Sequence, residues 1–90
     1  MSNLRTVVQS HRFTEELKAI ERSAQRSDEF IEGVEWYLSR CPEVGTQLGQ
    51  TDVWFLPTND SATMTSLVIY YTFDEDRVLL LSIHKARLEK

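Results

Sequence analysis

Cysteine, proline and glycine are scarce in this chain of 90 residues, which has one Cys, two Pro and three Gly. The single thiol, Cys41, cannot form an internal disulfide, so the fold does not require an oxidising compartment. Cys41 also has no histidine near it in sequence, which disfavours a role as nucleophile. The chain contains no phosphate-cradling glycine loop and no dinucleotide-binding fingerprint.

Long apolar runs and an excess of basic residues are also missing. No run approaches the ~20 apolar residues of a transmembrane helix, and the first five residues lack the apolar core of a signal peptide. We therefore predict a cytoplasmic protein that does not enter a membrane. The formal net charge of -4 argues against non-specific nucleic-acid binding. His11 and His84 lack the spacing of a metal site, so we expect no metal or other cofactor.

The strongest structural signal lies between Thr65 and Ala86. Two β-rich runs flank an acidic turn at Asp74–Asp76, which is the sequence form of a β-hairpin. Both runs are apolar at nearly every position, as is typical of strands in the middle of a sheet. Strand alternation divides the side chains of each strand between two faces. In the first strand, one face is predicted to carry Leu67, Ile69, Tyr71 and Phe73, and the other Val68 and Tyr70. In the second strand, one face is predicted to carry Val78, Leu80, Ser82 and His84, and the other Leu79, Leu81, Ile83 and Lys85.

Two amphipathic segments follow a short β-branched stretch at Leu4–Gln9, which predicts a strand and then two helices. A connection of about three residues favours an antiparallel helical hairpin. The first helix is predicted to be capped by Ser10 or Thr14, to have its apolar stripe from Phe13 to Ala24 and to end near Gln25. The second is predicted to be capped by Ser27 or Asp28 and stopped by Pro42.

The remaining segments complete a single domain, 1–90. Cys41–Thr51 is predicted as a polar loop, Val53–Pro57 as a strand and Thr58–Ala62 as a turn. The fold class is therefore α+β in the order β-α-α-β-β-β, with an antiparallel sheet and the helical hairpin packed on one face. Nothing in the sequence covers the other face, which favours a partner, an obligate complex or a homodimer there.

Several segments in this order are similar to those of a known family. They are Phe13–Leu17, Leu38–Gly45, Val53–Leu56, Leu67–Asp74 and Val78–Lys85. Together they resemble the RelE/ParE superfamily of bacterial type II toxins, which includes plasmid-stabilisation proteins. The resemblance spans Thr6 to about Arg87.

The resemblance implies a compact toxin neutralised by a small antitoxin. RelE-like members cut mRNA in the ribosomal A site without a metal, using basic residues and a histidine or tyrosine on the open sheet face. ParE-like members bind DNA gyrase instead. Carried over by position, the candidate catalytic residues are His84, Lys85, Arg87 and Tyr70.

The chain departs from the mRNA-cutting pattern at three places. Leu67 and Tyr71 stand where basic residues are frequent, and Val53–Leu56 carries none of the usual lysines. Because phosphate contacts and transition-state charge require Lys or Arg, these changes favour protein binding over RNA cleavage.

The first hypothesis is therefore a toxin-like protein that binds an antitoxin and a cellular target such as gyrase. The alternatives are a ribosome-dependent, metal-independent mRNA endonuclease and an inactive relative that serves as a binding module. Trp36 and Trp54 are candidate anchors for a partner, although burial in the core is expected for at least one of them. A purely structural explanation competes with each catalytic role. His84 and Lys85 could be polar residues at the point where a strand leaves the core, and Tyr70 could be a core aromatic.

Overall fold

The computed structural model describes residues 4–21, 23–60 and 65–86, which form two helices and one five-stranded sheet. The elements are β1 (Thr6–Gln9), α1 (His11–Ile20), α2 (Ala24–Arg40), a short 3-10 helix (Pro42–Val44), β2 (Thr46–Gln47), β3 (Trp54–Asp60), β4 (Thr65–Phe73) and β5 (Arg77–Lys85). The strand order is β1-β5-β4-β3-β2. The α+β class predicted from the sequence is confirmed.

The sheet is mixed, so the prediction of an antiparallel sheet is wrong at one edge. β4 pairs antiparallel with β3 and β5, but β1 pairs parallel with β5. A hairpin turn imposes antiparallel pairing on neighbours such as β4 and β5. All the other elements lie between β1 and β5 in the chain, and a connection of that length allows the two strands to pair in parallel. The predicted hairpin is confirmed, and both of its strands lie inside the sheet.

The first helix begins at a predicted cap, whereas the second begins earlier than predicted. The Ser10 hydroxyl accepts a hydrogen bond from the Phe13 N–H at 3.0 Å and caps α1, so Ser10 is the correct choice. The α2 cap is Ser23, whose hydroxyl accepts from the Arg26 N–H at 3.4 Å. Gln25 therefore belongs to the second helix, and the predicted caps Ser27 and Asp28 lie within it. Several Ser and Asp residues in this segment are good caps, and their sequence does not distinguish among them.

Two predictions in the second half of the chain also need correction. The predicted polar loop after Cys41 contains the 3-10 helix and β2, and β3 continues through Thr58 to Asp60 where a turn was predicted. Pro57 does not end β3, because β2 covers only Trp54 and Phe55 and no second strand requires an N–H from Pro57. Residues 61 and 62 of the predicted turn lie outside the described residues.

Both helices pack on the same face of the sheet and share one core. The core consists of Phe13, Leu17, Ile31, Val34, Leu38, Leu67, Ile69, Tyr71, Val78, Leu80 and Ile83. Trp54 is partly buried against this core, whereas Trp36 on α2 is 59% exposed. The Tyr71 hydroxyl donates to the Pro42 carbonyl at 2.6 Å and accepts from the Gly45 N–H at 3.1 Å. The central strand β4 thereby holds the segment that follows α2.

An extra residue in β5 changes which side chains face the helices. Leu80 pairs with Tyr71 and Ser82 with Tyr70, so Leu81 has no partner on β4 and forms a bulge. Since one unpaired residue shifts strand alternation by one position, Ser82 lies on the face opposite Leu80. The predicted grouping of Val78 and Leu80 with Ser82 and His84 is therefore wrong, whereas the grouping on β4 is confirmed by burial.

Candidate functional site

A row of rings crosses the sheet face that the helices leave open. Tyr70 on β4 lies 6.4 Å from Phe55 on β3 and 6.0 Å from the His84 ring on β5, measured between centroids. The Tyr70 and His84 rings meet edge to face, with an interplanar angle of 72°. Tyr70 is half-buried and His84 is exposed. We call this row Phe55–Tyr70–His84 the aromatic row.

Glu16 on α1 connects one end of the aromatic row to the edge of the sheet. β1 ends at Gln9 opposite Leu80, so no strand in the described part of the chain lies beside β5 beyond Leu80. There the Glu16 Oε1 accepts hydrogen bonds from the Ile83 N–H at 3.1 Å and from the Ser82 hydroxyl at 2.7 Å. A carboxylate thus replaces the acceptor that a longer β1 would have supplied.

The hydrogen bonds around Ser82 fix the position of a proton on His84. The hydroxyl of Ser82 has one proton, which it donates to the Glu16 carboxylate, because an ionised carboxylate only accepts. The 2.7 Å contact between Ser82 Oγ and His84 Nε2 therefore requires that Nε2 donates its proton. Nδ1 of His84 is the ring nitrogen left to accept a proton from a bound molecule.

Glu16 is ionised at neutral pH. Partial burial by itself would raise the pKa of Glu16, but hydrogen bonds from Ser82, the Ile83 N–H and Arg12, together with the charge of His84, outweigh burial and lower this pKa. Arg12 Nε lies 3.3 Å from Glu16 Oε2, and His84 Nε2 lies 3.7 Å from the same oxygen. The negative charge at this end of the row is therefore permanent near pH 7.

The structure brings together two of the four predicted catalytic residues. His84 and Tyr70 are neighbours on the open face. Lys85 pairs with the buried Leu67 and so lies on the opposite face, at the end of β5. Arg87 lies outside the described residues. The sequence reasoning placed His84 and Lys85 on opposite faces, and the bulge preserves that relation because both residues follow it.

Four residues of the site were not predicted as functional: Phe55, Glu16, Ser82 and Arg12. Glu16 lies within α1, and its contact with Ser82 joins residues 66 positions apart. Ser82 gave a signal in the sequence, because it is the one polar residue within the apolar run Leu79–Ile83. Its position two residues before His84 also places both side chains on the same face of a strand.

Among the described residues, positive charge near His84 is limited. The Arg12 guanidinium is paired with Glu16, and Arg12 is the one described Lys or Arg within salt-bridge distance of this cluster. Arg77 lies on the open face but seven positions from His84 along β5, which corresponds to roughly 23 Å. A phosphate at His84 would therefore lie nearest to a carboxylate and one already paired arginine.

Within residues 4–21, 23–60 and 65–86, no group of three or more His, Cys, Asp or Glu side chains could hold a metal ion. None of the helices in these ranges is long and apolar enough to cross a membrane. No protein-family model matches the chain, and no curated protein sequence matches it.

Proposed function

We propose that this chain is a toxin-like component of a type II toxin–antitoxin system, with a RelE/ParE-type arrangement, and that it acts by binding proteins. The observation that carries the proposal is the aromatic row on the open face of the sheet. The element order β-α-α followed by a hairpin of central strands, with both helices on one face, also supports it. The partner is a small antitoxin, and the cellular target is DNA gyrase or another protein.

The chemistry of the open face suits a protein surface. Aromatic side chains contribute large contact areas at low entropic cost and dominate the binding energy of many interfaces. Val8 and Leu79, which pair across β1 and β5, are 40% and 37% exposed on this face. The described residues around the row offer little positive charge for a nucleic-acid backbone.

Replacing Tyr70 by alanine is expected to weaken binding of the antitoxin at least about tenfold, because it removes the central ring of the row. The antitoxin tested is the product of the neighbouring small open reading frame, co-expressed and co-purified, with affinity measured by calorimetry. Tyr37→Ala is the matched control, since Tyr37 is 46% exposed on α2 and distant from the row. Equal weakening by both variants would contradict the assignment of this face.

Growth of bacteria that express the chain tests the same proposal at the level of the cell. We expect growth arrest with the chain alone and rescue when the neighbouring frame is co-expressed. If the chain is harmless and no partner co-purifies, the protein is an inactive relative that serves as a binding module, and the proposal fails.

A second candidate function, ribosome-dependent mRNA cleavage, is favoured by one observation. His84 has its Nε2 proton directed to Ser82 and its Nδ1 available, with the Tyr70 ring beside it. Nδ1 would accept a proton from the attacking hydroxyl, and the Tyr70 hydroxyl would donate one to the leaving oxygen. No metal is needed for this chemistry.

Ribosomes programmed with a defined mRNA distinguish the two functions. Under the protein-binding proposal the mRNA stays intact, because the described residues place too few cations around His84 to stabilise the transition state. Cleavage that His84→Ala abolishes and Lys85→Ala leaves unchanged would establish the endonuclease instead. Lys85 is the matched control because it lies on the opposite face of the same strand.

A further inference from the structure

A groove of ≈ 340 Å³ lies between α2 and the outer edge of β1, on a different side of the molecule from the aromatic row. Its lining residues are Leu4, Arg5, Val7, Glu32, Glu35, Trp36 and Ser39. Its volume is at the lower end of the range of about 300–1,000 Å³ that is typical of sites for small ligands.

Backbone groups of β1 at this groove have no partner among the described residues. The N–H groups of Thr6 and Ser10 donate to the Asp76 and Leu80 carbonyls, so alternate residues of β1 face β5. Val7, between them, therefore directs its N–H and carbonyl away from β5, towards the groove. The Arg5 N–H donates to the Ser39 carbonyl at 3.0 Å, which closes one end of this edge.

The groove has a fixed aromatic wall. Trp36 is 59% exposed, yet its ring is covered on one side by the Arg40 guanidinium, 4.1 Å from the ring centroid. Arg40 Nη1 also donates to the Trp36 carbonyl at 3.0 Å, which holds the guanidinium in place. Leu4, 57% exposed, adds apolar surface on the β1 side. The opposite side of the Trp36 ring is exposed and available to a partner.

Three charged side chains line the groove: Glu32, Glu35 and Arg5, whose guanidinium is bound to the Asp74 carbonyl and lies over the Phe73 ring. Neither Glu32 nor Glu35 forms a salt bridge with any of the described residues. A second copy of this chain would bring the same carboxylates against each other, which disfavours self-association through this surface.

We propose that this groove binds an extended segment of a partner protein that carries an apolar side chain between two Lys or Arg residues. The segment adds to the sheet as a short strand beside Val7, because the free edge supplies a backbone donor and acceptor. Its apolar side chain packs on Trp36 and Leu4. Its flanking cations pair with Glu32 and Glu35, since side chains two apart on a strand share a face. This interface does not depend on the function assigned to the aromatic row.

The test uses a synthetic peptide, acetyl-Lys-Thr-Leu-Thr-Lys-amide, titrated into the isotope-labelled full chain and followed by NMR. We expect saturable shifts of the Trp36 indole N–H and the Val7 amide. A peptide with Glu in place of both Lys is expected to bind at least about tenfold less tightly, because the groove repels it. Methylation of the leucine nitrogen is expected to weaken binding by a similar factor, because it removes an edge hydrogen bond.

Variants of the chain identify the groove residues. Trp36→Ala and the double change Glu32→Gln with Glu35→Gln are expected to weaken binding of the Lys peptide about tenfold, whereas Glu29→Gln has little effect because Glu29 lies outside the groove. Circular dichroism checks that each variant is folded. The proposal is overturned by the absence of a saturable shift at millimolar peptide, by equal binding of the Glu peptide, or by shifts centred on Tyr70. It is also overturned if the chain is a dimer that Trp36→Ala dissociates.

Discussion

Replacing Gly45 by alanine is expected to lower the free energy of unfolding by roughly 3 kcal/mol. A methyl group at Gly45 would clash with the Tyr71 hydroxyl and with the Phe55 carbonyl oxygen. The Phe55 backbone cannot yield, because β3 is paired with β2 and β4 at this residue. The Tyr71 hydroxyl would have to move and lose its bonds to Pro42 and Gly45. Overpacking and unsatisfied buried polar groups each cost about 1–3 kcal/mol.

Gly33→Ala is the matched control and is expected to change stability in the opposite direction. Gly33 lies within α2, and a methyl group there would meet nothing within 4 Å. Alanine is favoured over glycine in a helix interior by about 1 kcal/mol, so this variant should be more stable than the wild type. Urea unfolding followed by circular dichroism measures both variants. If Gly45→Ala has the stability of the wild type, the close approach of Tyr71 and Gly45 is contradicted.

Replacing Glu16 by alanine is expected to lower the free energy of unfolding by about 2 kcal/mol at pH 7. The change leaves the Ile83 N–H and the Ser82 hydroxyl without their acceptor at an edge that no strand covers. Glu16→Gln keeps an amide oxygen that can accept these bonds and loses only the charge, so a smaller loss is expected. If Glu16→Ala and Arg12→Ala had equal effects, Glu16 would contribute no more than an exposed ion pair.

The pH dependence of the Glu16 variants follows from the direction of its pKa. Folding lowers the pKa of Glu16 below its usual value of 4.5, so the carboxylate stabilises the folded state fully above that value. This contribution is lost as the pH falls through the lower pKa of the folded protein. The difference in stability between the wild type and Glu16→Gln should therefore be constant near neutral pH and shrink below 4.5. A difference that grows on acidification would contradict the ionised state of Glu16.

The parts of the fold that could be predicted from sequence are those with local signals. The hairpin of β4 and β5 was marked by two apolar runs and an acidic turn, and Ser10 by its position before an amphipathic segment. The bulge at Leu81 was not predictable, because Leu79, Leu80 and Leu81 are identical and neither Gly nor Pro interrupts them. Where every position is apolar, the sequence does not reveal that the alternation has shifted.

The candidate site was only half predictable for a related reason. His84 and Tyr70 were selected by residue type and by the family resemblance, and each carries its own chemistry. Glu16 joins them only because β1 is too short to cover the edge of β5, and that mismatch of lengths depends on the assembled sheet. The parallel pairing of β1 was missed for the same reason, because the four residues of this edge strand do not determine its orientation.

The bulge at Leu81 makes the length of β5 matter more than the identity of its residues. A deletion of one residue there would turn the last four residues of the strand over, bringing Ser82 and His84 to the helix side and Ile83 to solvent. An insertion would have the same consequence. Related chains are therefore expected to tolerate varied side chains at this position but to preserve the number of residues between Leu80 and His84.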